Sequence, residues 1–347
     1  MFRTCAAISL AVLSILSTSL CAQRNAASIR RSGTGMAGLL AAPQARSAAA
    51  GLGSRRSGAD RLPQPSPEPF VSLGSFGLID FPRSPDSAAC GLNTRGDVVG
   101  FFGPDVPAWN GTEQSYLLEG NTFHKLAFPG APFTGALGIN TRREIVGWYA
   151  DPGGNGLFHA FIRRGKNYAN IDDPAFQNTV ASNINDAGVV IGEAYDDVGT
   201  VHGFILAKGV YTTIDPPSSV FTSPLGINSD GVIVGDYVDQ NSINHGFILR
   251  NGQFTTVDYP GADSAQLTGI NDKGQMVGGY GDDVFIGDED WPTPNAFFLD
   301  HGTYTPLVLP VSDAQVSWTY NLRGNRLVGL YVDSLGNIYG YEGKISK

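Results

Sequence analysis

The chain has 347 residues, 10% of them aromatic, three cysteines and a formal net charge of −9 at pH 7. That length admits two average domains or one large all-β domain. Residues 23–69 hold seven arginines against Asp60 and Glu68, whereas residues 70–347 hold 15 Lys and Arg against 30 Asp and Glu. A body this acidic excludes nucleic acid as its partner, because phosphate contacts need a basic face.

The chain opens on Met1-Phe2-Arg3, followed by an apolar stretch from about Cys5 to Leu20 and then small residues. This layout predicts a secretory signal peptide over 1–22, cleaved after Ala22 and too short to serve as a spanning helix. Cys21 invites a lipoprotein reading, but Leu20 before it is larger than such processing sites take. A secreted protein, extracellular or periplasmic, is therefore expected, with no transmembrane segment. Cys5 and Cys21 leave with the signal, so only Cys90 remains and stability must come from a packed core.

Residues 23–69 are rich in Ala, Ser, Gly and Arg and end in the proline run Pro63–Pro69. With so few aromatic or β-branched residues they bury too little to offset ordering entropy, and a disordered linker is predicted. Gly33, Gly35 and Gly38 match a dinucleotide-binding glycine pattern but follow no strand, which removes that reading.

From Phe70 onward the chain repeats itself. An asparagine recurs at Asn93, Asn140, Asn185, Asn228, Asn271 and Asn321, every 43 to 50 residues. A glycine closes the second apolar run of each copy (Gly100, Gly147, Gly192, Gly235, Gly278, Gly329), and an aromatic marks the third (Tyr116, Phe161, Phe204, Phe247, Phe297, Tyr341). Asn-x-x-Gly between the first two runs reads as a tight turn, with Arg143 replacing the glycine in the second copy. Runs such as Val232-Ile-Val-Gly235 are apolar at successive positions, as strands buried on both faces are. Four short strands in each such period make one blade of a propeller.

The sixth copy stops after its third run, and its missing fourth run stands at the start as Phe76–Pro82, which matches Phe254–Pro260. Such an exchange would bury two open edges, so the prediction over 70–347 is an all-β, six-bladed propeller closed by a strand at 76–82. An open solenoid would end in polar caps instead.

Gly226-Ile-Asn228, Ile233-Val-Gly235, Tyr237-x-Asp239 and His159-Ala-Phe161, with variants at His202 and His245, resemble the bacterial extracellular HAF-repeat proteins over essentially all of 70–347. The resemblance implies export and a repeat body, and carries over no catalytic residue and no ligand.

His159, His202 and His245 invite metal or acid–base readings, yet the same position holds Gln114, Asn295 and Tyr339 elsewhere, as a hydrogen bond inside each blade would allow. An aspartate follows the second strand in every copy (Asp105, Asp151, Asp196 or Asp197, Asp239, Asp282, Asp333), which suits loop capping or an acidic ring on one face. The second-to-third connection is enlarged in copies one and five, where it carries Asp105 with Trp109, and Asp282, Asp283, Asp288, Glu289 and Asp290 with Trp291. Tryptophan beside carboxylates suits a sugar ring or a protein hot spot, and these eight residues are the candidate ligand-binding set. The acids also offer hard oxygen for calcium, but their spacing is not that of the helix–loop–helix site, and a solvated acidic loop with no cofactor is the favoured reading.

No nucleophile elbow, zinc-protease motif or phosphate loop is present, and Cys90 reads as a small core residue. The sequence thus predicts a monomeric, non-catalytic module binding extracellular carbohydrate or protein. The alternatives are a propeller hydrolase or lyase using acids of the same face or the channel, and a structural envelope component.

Overall fold

The computed structural model describes residues 70–103, 114–153, 156–281 and 295–346. Their regular elements are all strands, and no helix among them is long and apolar enough to cross a membrane.

Strand β1 (Val71–Ile79) precedes the first unit, which holds β2 (Asp86–Leu92), β3 (Val98–Gly103), β4 (Gln114–Glu119) and β5 (Thr122–Leu126). Unit two holds β6 (Thr134–Ile139), β7 (Ile145–Ala150), β8 (Phe158–Arg164) and β9 (Asn167–Asn170). Unit three holds β10 (Asn178–Ile184), β11 (Val190–Tyr195), β12 (Val201–Ala207) and β13 (Val210–Ile214). Unit four holds β14 (Phe221–Ile227), β15 (Ile233–Val238), β16 (Asn244–Arg250) and β17 (Gln253–Val257). Unit five holds β18 (Ser264–Ile270), β19 (Met276–Gly281), β20 (Asn295–Asp300) and β21 (Thr303–Val308). Unit six has only β22 (Val316–Arg323), β23 (Arg326–Val332) and β24 (Ile338–Ile345) of its own.

Each unit is an antiparallel meander. The fourth strand of unit six is β1, antiparallel to β24 from Leu73↔Ile345 to Ile79↔Gly340. This pairing runs earlier than the predicted 76–82 and ends at Ile79. Pro82 has no amide hydrogen to give a ladder, and the chain turns after Asp80, where the Ser84 amide donates to the Phe81 carbonyl (3.0 Å). Strand β2 of unit one packs against β22, β23 and β24. The cluster there joins Ala88, Cys90 and Phe101 to Trp318, Tyr320, Leu330, Val332 and Ile338, all buried.

Two repeated residues prove to be one device. The strand glycine and the third-strand aromatic are direct cross-strand partners: Gly100↔Tyr116, Gly147↔Phe161, Gly192↔Phe204, Gly235↔Phe247, Gly278↔Phe297 and Gly329↔Tyr341. A Cβ at Gly147 would stand 1.8 Å from the Gly135 carbonyl oxygen, and one at Gly235 2.8 Å from the Phe247 ring. Only glycine admits the carbonyl and, at Gly235, the ring together.

Each first strand carries a bulge, at Cys90, Leu137, Ser182, Leu225, Thr268 and Tyr320. These six residues, with Asn183, line one narrow cavity of about 30 Å³. One bulge residue from the first strand of each unit therefore meets the others at this cavity.

The asparagine three residues past each bulge does two jobs. Asn93 Oδ1 accepts from the amides of Arg95 and Asp97, both at 3.0 Å, which closes the turn. Its Nδ2 donates to the Asn140 carbonyl of the next unit (3.0 Å). The same inter-unit bond runs from Asn140 to Asn185, from Asn185 to Asn228, from Asn228 to Asn271 and from Asn271 to Gly324. In unit six the bulge falls at Tyr320, so Arg323, and not Asn321, holds the equivalent place. Arg323 is half-buried and donates to the carbonyls of Ile227 (2.7 Å) and Ile184 (3.3 Å), in units four and three. Burial lowers its pKa, and the charges of Asp186 and Asp272 oppose that.

Candidate functional site

The eight residues of the predicted ligand-binding set (Asp105, Trp109, Asp282, Asp283, Asp288, Glu289, Asp290 and Trp291) lie outside the described residues. What the structure describes is the scaffold that carries them. Residues 104–113 join β3 to β4, and residues 282–294 join β19 to β20.

The histidines next to the corresponding connections in units two to four are each bound within their own unit. His159 Nδ1 lies 2.6 Å from Asp172, His202 Nδ1 2.8 Å from Asp215, and His245 Nδ1 2.8 Å from Asp258. The partner aspartate follows the fourth strand and, in two units, also accepts a third-strand amide, that of Ala160 (2.7 Å) or Gly203 (3.1 Å). The other ring nitrogen faces the aspartate after the second strand at 4.0, 3.7 and 3.8 Å, for Asp151, Asp196 and Asp239. Each histidine thus bridges two loop aspartates and brings the second-to-third and fourth-to-first connections together at one end of the unit. In unit six a tyrosine replaces it, and Tyr339 donates to Asp333 (3.3 Å).

Three of the aspartates after the second strand cap their own loops. Asp196 Oδ1 accepts from the amides of Val198 and Thr200, Asp239 Oδ1 from Asn241 and Ile243, and Asp333 Oδ1 from Leu335 and Asn337. The Ile243 amide, helped by Asn241, holds Asp239 below the usual carboxylate range. Asp196 rather than Asp197 is the equivalent residue. Chemically these groups act as staples that tie the connections of their own unit together. Among the described residues no cluster of three or more His, Cys, Asp or Glu is arranged to hold a metal.

Cys90 is buried beside the narrow cavity, and desolvation raises its thiol pKa well above the ordinary range, which disfavours the nucleophilic thiolate.

Sequence reasoning missed one pair of acids. Glu193 and Asp236, on β11 and β15, are 3% and 2% exposed. Glu193 accepts from Tyr195 Oη (2.6 Å) and from Ser223 Oγ of unit four (2.5 Å). Burial pushes its carboxyl up to about 7 against those two bonds. Asp236, across the ladder from Ser223, is driven well above the carboxylate range by burial and then by the charge of Glu193. With its amide nitrogen turned toward the acceptors, Asn244 donates to Asp236 and to the Tyr237 carbonyl, each at 3.1 Å. The signal was legible in outline: the residue after the strand glycine is Phe101, Trp148 and Leu330 in three units but an acid in these two.

No protein-family model matches the chain, and no curated protein matches it. Among solved structures, the β-propeller domain of the Trilobed protease from Pyrococcus furiosus, described as an open velcro topology, is similar at 10% identity and TM-score 0.47. That match covers 76% of this chain and 86% of that one. Aleuria aurantia lectin, solved with Fucα1-6GlcNAc, is similar at 9% identity and TM-score 0.43, over 74% and 90% of the two chains. AofleA from Arthrobotrys oligospora gives 9% and 0.47, over 77% and 85%. These similarities are distant, and the assignment of units rests on the strand pairings above.

Proposed function

We propose that the six units form a closed six-bladed β-propeller, and that the protein is an exported, non-catalytic binding module of the HAF-repeat type. Its ligand, carbohydrate or protein, is held on the face where the second-to-third connections emerge. The observation that carries this reading is the internal pairing of the repeated His and Asp groups on that face. Residues so engaged build the scaffold, which leaves recognition to the segments that break the repeat, and long connections on a rigid frame are where binding usually resides. Those segments are 104–113 and 282–294, with Trp109 and Trp291 as aromatic anchors and the neighbouring acids as hydroxyl partners.

Ring closure is supported by the strand supplied from the N-terminal side to unit six, by the cluster joining units six and one, and by Arg323 reaching units three and four. The test of the binding site is a glycan array together with a pull-down of extracellular proteins. The variant Trp109→Ala with Trp291→Ala should lose the binding seen with the native protein. Binding that survives both substitutions places the site elsewhere and overturns the proposal.

A further inference from the structure

A groove of about 600 Å³ runs between units four and five, within the size range of small-molecule sites. Its floor is apolar, made by the buried side chains of Val257, Met276 and Leu299 with half-buried Ile248. Tyr304 forms one wall, with its ring set edge-on to Tyr259 at 5.3 Å. Arg250, Lys273 and His301 stand at the rim and are exposed.

The state of the charged groups decides the chemistry. Asp258 lines the groove, Asp300 stands between its lining residues Leu299 and His301, and each carboxylate has a partner. Asp258 bonds His245 (2.8 Å), and Asp300 accepts from Gln275 (2.9 Å) and faces His301 Nδ1 (2.5 Å). The Gln275 bond first, then His301 and the charge of Lys273, hold Asp300 below the usual carboxylate range. The side chains of Arg250 and Lys273, by contrast, form no ion pair or hydrogen bond among the described residues. In a body with twice as many acids as bases, two cations without a salt-bridge partner among the described residues line one groove with an apolar floor. An occupant must therefore bring acceptors for these donors and an apolar face for the floor.

We propose that this groove binds a saccharide bearing a carboxylate, a uronate-type sugar. Its ring C–H face lies on Val257, Met276 and Leu299 beside Tyr304. Its carboxylate meets Arg250, whose planar fork matches it bidentately, and Lys273 supplies a second positive charge. Its lining residues come from β16, β17 and Asp258 of unit four and from the β18–β19 turn through β21 of unit five.

The experiment titrates the full-length protein with a short oligogalacturonate and with its methyl-esterified form, which keeps the rings and removes the charge. The free acid should bind at least about tenfold more tightly, and more weakly as salt rises. Arg250→Ala with Lys273→Ala should lower that affinity by about tenfold or more while leaving the unfolding temperature unchanged, since both side chains are exposed. Trp109→Ala with Trp291→Ala should leave it untouched, which separates failure here from failure of the other site. The proposal falls if the native protein does not bind the oligogalacturonate, if the ester binds equally, or if the Arg250/Lys273 variant binds as the native protein does. Displacement by inorganic phosphate at matching concentrations would reduce the groove to a simple anion site and also overturn it.

Discussion

The boundary between units three and four and the boundary between units six and one occupy equivalent places, yet they are filled with opposite chemistry. At the first, Glu193 reaches Ser223 across the boundary, with Asp236 beside it, and all three are buried. At the second, the position of Glu193 is taken by Leu330, packed with Trp318, Val332 and Ile338 against Ala88 and Phe101. Both boundaries keep the same ladders, bulges and glycine–aromatic pairs. The repeated framework is therefore strong enough to carry two desolvated carboxyl groups, which an apolar boundary does not have to accommodate. The pair introduces a dependence on pH that the apolar boundary lacks.

The largest test removes β1, the proposed closing element. Deleting residues 70–79 strips β24 of its partner and exposes the six–one boundary, so the chain should lose its cooperative thermal transition and aggregate through the open edge. Deleting residues 23–62 should leave that transition intact. An unaltered melting curve after the first deletion would refute closure by β1.

Next in size is Trp318→Ala, which empties a buried site at the apolar boundary. Chemical denaturation should report a loss of about 3–5 kcal/mol, the same at pH 5 and pH 8.

The smallest of the three changes is Glu193→Gln. The native carboxyl holds its proton to about pH 7, whereas the unfolded one releases it near 4.5, so the folded state binds more protons between those values. Native stability should therefore be greatest below about pH 4.5, fall as the pH rises, and level off above 7, as far as this group governs it. Glutamine keeps the shape without the charge. The variant should match the native protein at pH 4 and exceed it at pH 8 by on the order of 3 kcal/mol. Equal denaturation midpoints at pH 8 would mean that Glu193 is ionised in the folded protein without penalty.

The sequence by itself determined the repeated four-stranded unit, its period and the chain-end complementarity. Glycines, aromatics and turn asparagines recur because each unit must meet the same local demands of ladder, bulge and turn. It also assigned the recurrent histidines to hydrogen bonds inside the unit, since a position that accepts His, Gln, Asn or Tyr asks only for a polar group. It misplaced the equivalent position by two residues at Asn321, and only the bulge at Tyr320 and the ladder Leu322↔Leu327 show that Arg323 occupies it. The reach of Arg323 to units three and four, the burial of Glu193 against Ser223 and the meeting of Arg250 with Lys273 were decided by tertiary structure alone. Each joins residues from different units, and the contact depends on how neighbouring sheets stack, which no single repeat encodes.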